Sequence, residues 1–206
     1  LTHLLKSMVV NRLHLGNGAV YLADYLNIDI PAAKTFLAAD RPDLVDRYVT
    51  TEDAYYARHA DKTIETLRIG PLDQEYVCDR YGSFHFLPID QPVDEILVRH
   101  GFEHMSASEA RLALDLWSQV MTPKGIVRID VPDHEGTMAA YASTHDSFYI
   151  RHLLGPRRGD DYGYHVLSYD RAGLIKLVES CGFRCVDEEK NIHFFPAFCL
   201  RFRCDH

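Results

Sequence analysis

An open, mostly parallel α/β sheet with an antiparallel strand pair at its C-terminal end and helices on both faces is the fold class this sequence predicts. Three observations predict it. Strand-like runs alternate with amphipathic helical patterns along the chain. The middle runs, "VDEILVRH" and "IVRIDVP", are rich in apolar β-branched residues, as parallel strands covered on two faces are. The last run, "AFCLRFRC", sets Phe198, Leu200, Phe202 and Cys204 against Cys199, Arg201 and Arg203, the alternation of a one-sided strand.

Each element follows from its own residues. "VVNRLHLGNG" is a short apolar strand entering a glycine turn, and "YLNIDI" is a second strand ending near Asp29. Residues 31–70 carry no clean strand pattern and read as an insertion, with Thr50 or Thr51 capping a weakly amphipathic helix. "EYVCD" is a strand candidate ending at Asp79. Ser106 followed by Glu109 is a capping-box signature, and Ala110, Ala113, Leu114, Trp117, Val120 and Met121 form the apolar stripe of the helix it opens. Pro123 and Gly125 end that helix. Pro132 closes the next strand, and residues 134–167 are too long and polar for an ordinary connection, so they read as a lid. Leu174, Leu177, Val178 and Cys181 stripe a last helix that Gly182 terminates. No repeat or linker divides the chain, and residues 1–206 read as one domain.

Composition narrows the function classes. With 206 residues, 47% of them apolar, the chain can bury a substantial core. No apolar run approaches the roughly 20 residues that span a bilayer. A net charge of −8 and the lack of a basic aromatic stripe weigh against nucleic acid as a partner. No signal-peptide pattern precedes the five cysteines, so reduced thiols and a cytoplasmic location are expected. Zinc on Cys181, Cys185, Cys199 and Cys204 is the alternative, against which Cys199 and Cys204 point to opposite faces of a strand. The chain begins at Leu1 rather than Met, as a trimmed chain does. Histidine is abundant: 12 residues, against 22 Lys and Arg together.

In an open α/β sheet, ligands sit beyond the carboxyl ends of the strands. Those ends are Gly16-Asn17-Gly18, Asp29, Asp79, Arg99-His100 and Pro132-Asp133-His134. A glycine turn admits a ligand close to the backbone, and an acid one strand later can accept two ribose hydroxyls. The pairing implies a nucleoside-containing cofactor. Asp29 stands 11 residues after Gly18, short of the roughly 20-residue gap in dinucleotide folds, which disfavours NAD.

"RLHLGNG", "YLNIDI", "LPID…VDEILVRHGFEHM", "VMTPKGIVRIDVPD" and "LIKLVESCGF" occur in the order seen in class I S-adenosylmethionine-dependent methyltransferases, and the chain resembles that family over most of 11–134 and 168–204. The nearest likeness is to the compact branch found with glycan and polysaccharide biosynthesis. The resemblance implies a Rossmann-like fold, S-adenosylmethionine as cofactor, and a hydroxyl of a sugar, glycan or other small polar acceptor, nucleotide-linked in one version, as methyl recipient. It implies that Gly16 and Gly18, with Asn17 between them, line the methionine end of the cofactor. Asp29, with Ile30, would hold the ribose, Asp79 with Arg80 would face the adenine, and His100 would flank the sulfonium. "PKG" stands where the family has "PGG", and the insertion at 31–70 leaves Asp73 as a second choice for Asp79. Each acid has a plainer role open to it: Asp29 as a helix cap, Asp79 as a solvated loop residue.

Transfer to a hydroxyl calls for a base, and histidine suits it. His134 ranks first because it follows a central strand, then His104, then His165; Glu103-His104 also has a purely structural reading as the start of the next helix. Asp133, His134, Glu135, His145 and Asp146 could instead hold a divalent ion, though their spacing does not require one, and the site is expected to hold no metal. Arg151, Arg157 and Arg158 beside Tyr149, Tyr162 and Tyr164 suit a phosphorylated acceptor or a solvated basic loop. The histidines are expected to be dispersed, with two or three of them functional. A methyltransferase-like domain that has lost activity and serves as a scaffold is the alternative to an enzyme.

Overall fold

A computed structural model of the chain describes residues 11–16, 21–22, 25–28, 49–50, 92–155, 164–191, 193 and 195–205. Strands β1 (Arg12–Leu15), β3 (Leu26–Ile28), β5 (Val93–Arg99), β6 (Met121–Pro132), β7 (Phe183–Glu189) and β8 (Ala197–Cys204) form one six-stranded sheet in the order β3-β1-β5-β6-β8-β7. β3, β1, β5 and β6 run parallel, whereas β8 is antiparallel to both β6 and β7. β2 (Tyr21–Leu22) and β4 (Val49–Thr50) pair separately, so Thr50 belongs to a strand rather than to a helix cap.

The core lies on one face of the sheet. Leu13, Leu15, Ile96, Val98, Val127, Ile129, Val131, Phe198, Leu200, Phe202 and Cys204 project into it from the strands. Helix α1 (Ala107–Val120) and helix α4 (Arg171–Glu179) bury their stripes in that same cluster, Ala110, Ala113, Leu114 and Trp117 from one, Leu174, Leu177 and Val178 from the other. The capping box at Ser106 is formed in full: its hydroxyl accepts from the Glu109 backbone N–H, and the Glu109 carboxylate accepts from the Ser106 N–H at 2.7 Å. Asp170 caps α4 by accepting from the Gly173 N–H, and Gly182 takes φ 86° just beyond its end.

The opposite face is charged. Glu95 receives Arg12 at 2.9 Å, Arg128 at 3.0 Å and the Tyr25 hydroxyl at 2.7 Å. Arg128 reaches on to Glu189 at 2.6 Å, and Arg99 lies between Glu189 and Asp130. Between β3 and β5 only Val49–Thr50 and Pro92 are among the described residues, so most of the insertion expected at 31–70 lies outside them.

Two stretches differ from the sequence expectation. Residues 122–125 are not a turn outside the sheet but a bulge inside β6: Met121 pairs with Val93, Ile126 with Glu95, and Lys124 takes φ 71° between them. Residues 134–167, expected as a lid or substrate region with no helix assigned, hold two helices, α2 (His134–Thr144) and α3 (Ser147–Leu154). Their pattern hides them, because α2 buries only Thr137 and so has no apolar stripe to read.

Candidate functional site

The chain passes from β1 outward to β3 and then back across to β5, so the switch point lies at the carboxyl ends of β1 and β5. Gly16 ends β1 at φ 67°, a conformation that costs a glycine nothing. Gly101 follows β5 so closely that a Cβ there would stand 3.8 Å from the Gly16 Cα and 3.2 Å from Val98 Cγ1. Two glycine backbones thus meet at the mouth of the crevice.

Beside them stands a cluster of histidines and carboxylates. His100 sits at the end of β5 in a left-handed conformation, φ 52°, which a non-glycine residue holds only when its surroundings impose it. Its Nδ1 lies 3.4 Å from Glu103 Oε1, and its Nε2 lies 3.2 Å from His193 Nε2 and 4.0 Å from Asp130 Oδ1. His193 Nε2 is 2.9 Å from Asp130 Oδ2, which also receives Arg99. Phe195 packs on three of these rings, at 4.8 Å from His193, 5.4 Å from His100 and 4.0 Å from His152.

On its other side Glu103 faces His104 and His165, whose rings are 5.0 Å apart. His104 Nδ1 donates to the Tyr164 carbonyl at 2.8 Å, and His165 Nδ1 to the Leu153 carbonyl at 3.2 Å. A carbonyl can only accept, so each ring carries a proton on Nδ1, and its neutral form presents a lone pair at Nε2. His165 Nε2 lies 3.7 Å from Glu103 Oε1. The Glu103 carboxylate is 1% exposed, and neither of its oxygens has a hydrogen bond. Its backbone carbonyl anchors the passing segment by accepting from the N–H groups of Val166 and Leu167.

Environment separates the charges. Burial alone would push the Glu103 carboxyl up, but His100, His104 and His165 hold it below the usual range. Asp130 is likewise pushed up by burial and pulled down further, to about 2, by His193, His100 and Arg99. Burial lowers His100, yet Glu103 and Asp130 more than restore it, so it ends above its ordinary value. His165 and His193 end below theirs because of burial, and His152 falls to about 4 through burial and the nearby His100 and His165. Two carboxylates thus favour the protonated form of His100, while burial favours the neutral forms of His152, His165 and His193.

The sequence-derived candidates divide accordingly. His100, His104 and His165 are brought together. His134 is not: it opens α2, pairs with the Ser168 hydroxyl at 2.8 Å and belongs to neither group of close ligand atoms among the described residues. Asp133, Glu135, His145 and Asp146 do not join any metal-ligating group among the described residues. Asn17, Gly18, Asp29, Ile30, Asp79 and Arg80 lie outside the described residues. Sequence reading missed Glu103 as the hub, Asp130 within β6, and His152 and His193. His193 follows no strand directly and His152 sits in an unrecognised helix, so neither showed a strand-end signal. Phe195, stacked among the rings, was the one available cue. Five of the eight described histidines gather here, so among the described residues histidine is concentrated rather than dispersed.

The fold is that of Rossmann-like methyltransferases. A S-adenosylmethionine-dependent methyltransferase from Methanosarcina mazei superposes with a TM-score of 0.53 at 13% identity, covering 93% of this chain and 91% of that one. LepI in complex with S-adenosylmethionine is similar at TM-score 0.49 and 14% identity over 94% of this chain and 42% of LepI. The methyltransferase SibL is similar at TM-score 0.49 and 15% identity over 95% and 50% respectively. The chain therefore spans about 42% to half the length of these last two. No protein-family model and no curated protein matches the sequence. No helix among the described residues is long and apolar enough to cross a membrane.

Proposed function

We propose that this single-domain chain is an S-adenosylmethionine-dependent methyltransferase that methylates a hydroxyl of a sugar, glycan or other small polar acceptor. The observation that carries the reading is the glycine-lined crevice at the switch point, set directly beside a buried histidine–carboxylate cluster. Gly16 and Gly101 fit such a cofactor because no Cβ blocks its approach to the ends of β1 and β5. Gly18, Asn17, Asp29, Ile30, Asp79 and Arg80 would complete its cradle. When bound, the cofactor supplies an electrophilic methyl group on a sulfonium.

The chain's own residues position the acceptor and take its proton. His104 Nε2 is the acceptor of that proton, since its Nδ1–H is committed to the Tyr164 carbonyl and its ring stands at the open side of the cluster. Glu103 lies behind it as a buried anion without hydrogen bonds, placed to stabilise the imidazolium that results. His165, kept neutral by burial, adds no competing positive charge. His100 points these contacts toward β6 and the segment joining β7 to β8, which supports a place on the acceptor side rather than against the cofactor. Cytoplasmic location belongs to the same reading.

A scaffold that has lost activity is favoured by one observation: only residues 16–25 join β1 to β3, and β2 occupies part of that span, leaving no room for a full helix after the glycine turn. Calorimetry with S-adenosylmethionine and its demethylated product separates the two readings. Asp29→Ala is expected to weaken binding by about 1–3 kcal/mol, the cost of a lost charged hydrogen bond. Absence of any binding heat in the unaltered protein would refute the enzyme reading.

A further inference from the structure

We propose that His100, Asp130 and His193 form a binding site for one divalent transition-metal ion. The three residues come from separate elements, the end of β5, the interior of β6 and the segment joining β7 to β8. They turn donor atoms toward a common point. His100 Nε2 and His193 Nε2 are 3.2 Å apart, His193 Nε2 is 2.9 Å from Asp130 Oδ2, and His100 Nε2 is 4.0 Å from Asp130 Oδ1. Donors held at about 2.0–2.1 Å from a tetrahedral ion stand roughly 3.3–3.4 Å from one another. The 3.2 Å between the two Nε2 atoms is close to that value, and one donor atom from each of the three residues lies within 4.8 Å of the others.

A second observation points to a ligand. Asp130 is 1% exposed, and its Oδ1 has no hydrogen-bond donor, while Oδ2 is taken by Arg99 and His193. A buried carboxylate oxygen left in this state carries an uncompensated desolvation cost. An ion between Oδ1 and the two Nε2 atoms removes that cost.

The outer shell is already arranged for coordination. A metal-ligating histidine ordinarily donates its other ring nitrogen to a carboxylate, which fixes its tautomer. His100 has the carboxylate in place for this: its Nδ1 faces Glu103 Oε1 at 3.4 Å, and that oxygen has no hydrogen bond. Phe195 packs against His100 and His193 and holds both rings in place. Two imidazoles and one carboxylate select zinc, cobalt or ferrous iron over magnesium and calcium, which prefer all-oxygen shells. Three protein ligands leave a position open to an oxygen donor.

The test uses protein stripped with a chelator and titrated with cobalt(II), followed by visible d–d absorption, then with zinc(II) by calorimetry. One equivalent is expected to bind with Kd at or below about 10 μM, as metal-assisted sites do. His193→Ala and His100→Ala are each expected to weaken binding more than tenfold, and Glu103→Gln by about tenfold. His145→Asn, which removes an exposed histidine on another element, leaves the titration unchanged. His193 lies outside helix and strand, so His193→Ala keeps the test valid if His100→Ala does not fold; circular dichroism checks both. No binding below about 100 μM, or one equivalent bound equally well by His193→Ala, overturns the proposal. The titration contains no S-adenosylmethionine, so its outcome is independent of the methyltransferase reading.

Discussion

His152→Phe should make the protein less sensitive to acid. His152 sits on α3 with its ring 4.0 Å from Phe195 and stacked at 7° on Phe148, and its Nε2 is buried without a partner. Burial, reinforced by His100 and His165, takes its pKa from 6.5 to about 4. A histidine depressed in this way favours the folded state only while it is neutral. Its contribution is present above pH 6.5, the unfolded value, and is lost as the pH falls toward 4. Between pH 7.5 and pH 4.5 the linkage relation assigns about 2.5 kcal/mol to a shift of this size. Solvent reaching the partly exposed ring screens this to roughly half, about 1–1.5 kcal/mol. Phenylalanine keeps the planar contacts with Phe148 and Phe195 and cannot take up a proton. Urea denaturation at the two pH values measures the difference: the wild type should lose about 1–1.5 kcal/mol more than the variant on acidification. Equal losses in the two proteins would refute the assignment of His152 as a buried neutral base.

Ser106→Ala removes one half of the capping box at the start of α1 and should cost about 1 kcal/mol in thermal or urea denaturation, with little effect on ligand binding. His104→Asn should lower the rate of methyl transfer by about 10²–10⁴-fold while leaving the affinity for S-adenosylmethionine unchanged by calorimetry; unchanged turnover would move the base elsewhere.

The sequence made the second half of the fold legible for physical reasons visible in its residues. The capping pair Ser106 and Glu109, the stripe through Trp117, and the alternation from Phe198 to Cys204 are each local patterns whose period matches the element that forms. The bulge at 122–125 was hidden because Pro and Gly signal a break without telling whether the sheet resumes on the same strand. The site was only half legible. His100 and His104 could be placed from strand ends and motif order, and His165 from its position in the expected lid. Asp130 could not, because within "IVRIDVP" it reads as one polar residue in a buried strand. Its role depends on Arg99 beside it in the neighbouring strand and on His193, more than 60 positions away in the chain. Glu103 became central only when the 164–167 segment folded back onto it.

The ladder of charges on the second face of the sheet also acts as a ruler. Parallel strands covered by hydrocarbon on both sides can slide past one another by two residues with modest penalty, since one aliphatic row resembles the next. Here Arg12, Glu95, Arg128 and Glu189 alternate in sign across four strands, so a two-residue slip sets charges against the wrong neighbours. A one-residue slip would carry Arg128 into the apolar core beside Trp117, at a cost of several kcal/mol per stranded ion. The aliphatic face thus supplies cohesion, while the ionic face dictates alignment. The carboxyl ends of β5 and β6, and with them His100 and Asp130, are thereby brought level.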